Sequence, residues 1–156
     1  MTLSLRVYTG TNAGTESAAQ TGIALLSVDA ATVDPGSHMV APGTNSFEKW
    51  LAVKVDLADG HTYSDFYLEL STVSGALPSG VTIKVGTTAT AATPTAATST
   101  VAKTTLAAGR RYTFDTSVLA AANDRTAYLV IQEVVAATAA SGAIPQQALT
   151  VGWARD

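Results

Sequence analysis

Between Phe47 and Leu57 the chain alternates. Phe47, Leu51, Val53, Val55 and Leu57 share one parity, with Lys49 as the exception, and Glu48, Trp50, Ala52, Lys54 and Asp56 share the other. A two-residue period sends successive side chains to opposite faces, so this stretch predicts a long central strand with one apolar and one mostly polar face. Similar alternation predicts strands at Thr2–Tyr8, at 22–28, at Tyr63–Leu70 with Phe66, Leu68 and Leu70 aligned, at Val81–Gly86, at Arg110–Phe114 and at Ala148–Trp153. Ala127–Val135 is apolar on both parities, the mark of a strand buried on both faces. Turn signals separate these runs: Asp34-Pro35-Gly36, Ala41–Asn45, Ala58–His61 and Ser74–Gly80. Asp59-Gly60 predicts a hairpin that returns Tyr63–Leu70 against the central strand. Thr116–Asn123 predicts a short helical turn capped by Asp115 or Ser117. About eight strands without βα alternation or repeat give an all-β, antiparallel two-sheet sandwich, of which the jelly roll is one form. At 156 residues the chain fits a single domain, 1–156.

Composition sharpens this in three ways. There are no cysteines, so disulfides, thiolate metal sites and cysteine nucleophiles are excluded together. The net charge of −3 leaves no basic field for nucleic acid. Charged residues are 13% of the chain, about half the usual quarter, while Ala (29) and Thr (24) dominate. A free monomer uses surface charge to stay soluble, and a docked subunit needs less of it. The amino-terminal stretch lacks the basic start and apolar core of a signal peptide, which predicts synthesis in the cytoplasm without export by that route. The most apolar long window, 127–144, is interrupted by Gln132, Glu133, Ser141 and Gly142, so no membrane span is expected.

Residues 87–105 form a low-complexity Ala/Thr excursion with one proline, Pro94, and no aromatic. It is either an exposed loop or an arm, with Thr95 at its centre, that orders against a neighbouring subunit. On the arm reading, deleting Ala89 to Thr100 leaves the domain folded and weakens assembly.

Candidate chemistry is sparse. His38 and His61 sit in predicted turns with no second histidine at metal-binding spacing. Asp56, Asp59 and Asp65 gather around one turn but lack the order of a calcium loop. No nucleophile elbow or phosphate loop is present, so no enzyme activity and no cofactor is expected. Arg110-Arg111 is the only doubled basic pair and suits a neighbour's carboxylate. Trp50, Tyr63 and Tyr67 share the outward parity of two strands expected to be adjacent. They could stack a sugar, anchor a protein interface, or lie beneath the 87–105 excursion.

The strings Asn45–Leu51, Leu77-Pro78-Ser79-Gly80-Val81 leading to Val85-Gly86-Thr87, Tyr128–Gln132 and Trp153–Asp156 together resemble small structural proteins of tailed bacteriophages. The resemblance is one of texture spread over most of the chain, and it carries no functional residue across. It implies a non-enzymatic, multi-copy virion protein: most concretely a capsid decoration protein, a homo-oligomer docked on the major capsid protein or other virion proteins. The alternative it implies is a carbohydrate-binding or host-recognition module associated with a phage tail.

Overall fold

The computed structural model describes residues 2–21, 23, 25, 27–31, 39–73, 75–97, 101–140 and 147–156. They form an all-β sandwich of nine strands: β1 (Thr2–Thr9), β2 (Thr15–Glu16), β3 (Lys49–Leu57), β4 (Tyr63–Thr72), β5 (Val81–Thr88), β6 (Thr104–Thr105), β7 (Arg111–Asp115), β8 (Tyr128–Val135) and β9 (Gln147–Arg155). One layer has six strands in the order β2-β1-β3-β8-β5-β6, the other three in the order β7-β4-β9, all pairs antiparallel. The predicted turn at 34–36 and His38 lie outside the described residues, as do alternate positions of the predicted strand at 22–28. Within that last stretch Ile23 and Leu25 are not in a strand, yet both pack against the core.

The central strand is present but starts at Lys49 rather than Phe47, its Trp50 and Ala52 are buried where a mostly polar face was expected, and its partners differ. β3 pairs with β1 (Leu5 opposite Val53) and with β8 (Leu51 opposite Leu129). The Asp59-Gly60 turn does not close a hairpin; it carries the chain across to the other layer, where β4 pairs with β7 and β9. The local signal for a turn was correct, but the choice of partner is not local. Burying the apolar face of β4 on that of β3 removes more surface from water than pairing their edges would.

The core between the layers takes Val7, Leu51, Val53, Val55, Ile83, Val85, Leu129 and Ile131 from the larger sheet. Phe66, Leu68, Leu70 and Phe114 come from the smaller one. Lys49, the exception on the apolar parity, is 1% exposed. Its ammonium donates to the carbonyls of Val28 (3.1 Å) and Ala30 (2.6 Å), which satisfies it and ties the 28–30 segment to the inner face. Burial lowers its pKa, and nearby Asp29 works against that shift.

The segment predicted as a helical turn is an irregular loop without helix. Its backbone bonds go to the sheets: Leu119 and Tyr63 exchange N–H···O bonds (2.9 and 3.0 Å), and the Asn123 amide donates to the Val55 carbonyl (2.8 Å). Asp124 Oδ2 accepts from the amides of Ala120 and Ala121 (3.0 and 2.8 Å), the side-chain competition that draws a backbone away from helix.

Candidate functional site

The outer faces of the two sheets have different fates. On the six-stranded sheet, Tyr8, Trp50, Ala52, Tyr128 and Val130 form a second apolar cluster, covered by Ala91, Ala92 and Val101 of the Ala/Thr excursion. The rings meet edge to face, Tyr8–Tyr128 at 5.2 Å and Trp50–Tyr128 at 5.5 Å, and Trp50 is 0% exposed. Small residues are what let the excursion lie this close. A Cβ on Gly86 would come within 2.3 Å of the Ala102 carbonyl oxygen.

A polar seam ties the excursion down. The Thr95 carbonyl accepts from the Glu48 amide (3.0 Å) and from Gln132 Nε2 (3.3 Å). Asn45 Nδ2 donates to the Ala96 carbonyl (3.2 Å), and the Asn12 amide donates to Thr93 Oγ1 (3.0 Å). The fully buried Glu48 carboxylate pairs with the Lys103 ammonium through Oε1 and accepts from Trp50 Nε1 (3.1 Å) through Oε2. Thus Trp50 and Thr95 are linked through Glu48, with Trp50 fully buried and Thr95 half-buried.

Tyr63 is also removed from the surface. The β4 ladder shifts register between Ser64 and Tyr67, where Asp65 takes a φ of 52°, so Tyr63 and Phe66 both face the core. The predicted outward row of Trp50, Tyr63 and Tyr67 on adjacent strands therefore does not exist. Trp50 lies under the excursion on one sheet, Tyr63 is in the core at 6% exposure, and Tyr67 alone faces out from the other sheet.

Around Tyr67 the three-stranded sheet presents its outer face. Cross-strand register sets Tyr67 between Thr113 and Gly152, Glu69 between Arg111 and Thr150, and Ser71 beside Ala148. The Tyr67 ring lies directly against Gly152, where a Cβ would meet it at 2.3 Å, so only glycine leaves room for the ring. The Arg111 guanidinium stacks 4.2 Å above that ring and donates through Nε to Glu69 Oε2 at 3.1 Å. This exposed ion pair adds little to stability; it orients the guanidinium over the ring. Arg110 is exposed in the preceding turn and belongs to no such cluster. Gly152 was missed by sequence reasoning, and Glu69, read on the outward parity, was not singled out, because a pairing across 42 residues to Arg111 leaves no local mark.

The remaining candidates have structural roles. Asp56 holds Arg6 Nη2 at 2.6 Å, and that bond lowers the carboxyl pKa. Asp59 accepts from the His61 amide and the Tyr63 hydroxyl, both at 3.1 Å. No group of three His, Asp or Glu residues is placed to hold a metal among the described residues. An open depression of about 350 Å³ is lined by Ala89, Asp115, Ser117, Arg125, Thr126 and Ala127. Its Asp115 accepts from the amides of Ser117 and Ala127, its Thr126 Oγ1 accepts from the Val53 amide, and its Arg125 stacks on Tyr128 at 4.4 Å.

Compared with protein-family models, curated proteins and solved structures, the chain matches none.

Proposed function

We propose that the protein is a virion structural protein, most concretely a decoration protein of a tailed-phage head, that docks through the outer face of its three-stranded sheet. The observation that carries this reading is the asymmetry between the two outer faces. The chain folds its own excursion over one and ties it there through Thr95, Glu48 and Lys103. On the other it sets Tyr67, Arg111 and Glu69 among small residues, half-buried to exposed. A face of small side chains with one stacked Tyr–Arg pair has the composition of an interface anchor, since Tyr and Arg dominate binding hot spots. The low charge of the chain, 13%, suits a subunit that spends its life docked.

In this role the protein acts without covalent chemistry. Contacts across subunit borders raise the free energy needed to separate shell proteins, and repetition over many copies turns modest contacts into firm retention. The test is co-sedimentation of the purified protein with heads assembled from the capsid gene of the same genome. Wild type is expected in the particle fraction. Tyr67→Ala and Arg111→Ala are expected to lower retention at least tenfold, as hot-spot losses of about 1.4 kcal/mol or more require, with unchanged thermal melts. Wild-type protein that stays in the supernatant would sink the proposal.

A further inference from the structure

We propose that two copies of this chain pair edge to edge through β9, antiparallel about a two-fold axis at Val151, joining two three-stranded sheets into one of six. Such a pair is independent of what the protein docks on. The molecule protects its other sheet edges. An unpaired strand offers a row of free N–H and C=O groups, and proteins blunt such edges with short strands, charges, prolines or bulges. The six-stranded sheet ends in β2 and β6, two residues each. In the other sheet, β7 is five residues long with Arg111 at one end and Asp115 at the other.

β9 has none of these protections. It runs nine residues, Gln147 to Arg155, contains no proline, and carries a single charge at its last position. The irregularity in its pairing with β4 lies on the β4 side, at Asp65 and Phe66. Among the described residues no strand pairs with its outer edge, and Gln147 at its start donates through Nε2 to the Gly75 carbonyl (2.9 Å).

The strand is also complementary to itself when reversed. The register that uses all nine residues sets Val151 against Val151 of the second copy. Trp153 then falls opposite Leu149, Ala154 opposite Ala148, Gly152 opposite Thr150, and Arg155 opposite Gln147. Leu149 and Val151 face the core side, where both pack against the main cluster. Trp153 shares their parity, lies 6.5 Å from Phe66, and is 41% exposed, so a Leu149 from the second copy would cover an aromatic that one copy leaves half in water. The outward row of Ala148, Thr150, Gly152 and Ala154 is small enough for two strands to lie flat, and no like charges meet. A two-fold axis closes the contact, so the edge is used up rather than propagated into a fibre.

The test uses the intact chain, which has no native cysteine to interfere. Light scattering across a concentration series reaching roughly 1 mM, where even a weak pair associates, is expected to show a mass near twice 15.9 kDa at the upper end. Ala148→Cys and Ala154→Cys, both on the outer face, are then made as separate variants whose melts report folding. Opposed strand residues lie about 4.5–5.5 Å apart, within disulfide reach, whereas two copies of the same variant place their thiols roughly 20 Å apart. Oxidation is expected to link the 1:1 mixture and to leave each variant alone largely unlinked. A monomer mass throughout, equal linking in the separate variants, or a doubled mass without the mixed link would each overturn the proposal.

Discussion

At the scale of single residues, the informative positions are polar side chains on apolar parities. Lys49 is one, satisfied by two carbonyls. Glu133 is the other. It shares the inward parity of Leu129 and Ile131 in β8, is 6% exposed, and its Oε1 has no hydrogen-bond partner among the described residues. Burial raises its pKa from the ordinary 4.5 to about 7. Because the folded state holds this proton more tightly than the unfolded chain, folding is favoured at low pH. Stability is expected to fall as pH rises from 4.5 to about 7 and to level off above, by about 1–3 kcal/mol in total. Glu133→Gln should flatten this slope and raise the melting temperature at pH 8. Urea unfolding of both proteins between pH 5 and pH 8 checks it, and parallel slopes would refute it. The sequence showed that Glu133 interrupts an apolar run. That it points inward was not legible, because β8 is apolar on both parities, and its unpartnered Oε1 is a property of the packed interior.

At the scale of elements, the 87–105 excursion changes meaning most. Composition alone allowed an exposed loop or an arm reaching another subunit, and the outward aromatics allowed a third reading in which the excursion covers them. The described part lies on its own sheet, burying Trp50 as that third reading has it and pairing Lys103 with Glu48. Deleting 89–100 is therefore expected to destabilise the domain, contrary to the sequence-based expectation, because Trp50 and Tyr128 would lose their cover. The sharper prediction concerns the ion pair. Lys103→Met strands a fully buried carboxylate and is expected to cost about 3–5 kcal/mol, whereas adding Glu48→Gln to it should restore most of the loss. Chemical denaturation of the single and double variants measures this, and a double variant no more stable than Lys103→Met would contradict it. One hint was present in the sequence: Trp50 stands on the supposedly polar parity of β3, and a tryptophan there needs something to cover it.

For the whole molecule, the controlling fact is that strand partners are far apart in sequence. Leu5 pairs with Val53, Leu51 with Leu129, and Leu68 with Val151. Few of these contacts can form before long loops close, and all-β chains of this kind refold in milliseconds to seconds. Stopped-flow refolding followed by tryptophan fluorescence is expected to show its main phase in that range, Trp50 reporting closure of the outer cluster. A microsecond main phase would show that the distant pairings do not limit folding.

The alternation of apolar and polar residues was enough to establish an all-β sandwich and the course of seven strands, because inward facing is a period-two property that each strand carries in its own residues. It could not say that β4 leaves β3 for the opposite layer, nor that Asp65 shifts Tyr63 inward. Nor could it say that Thr95, Lys103 and Glu48 meet, or that Arg111 stacks on Tyr67 beside Gly152. Those outcomes depend on which surfaces bury most area when all the strands compete at once, and residues 44 to 85 positions apart leave no trace of one another in a local pattern.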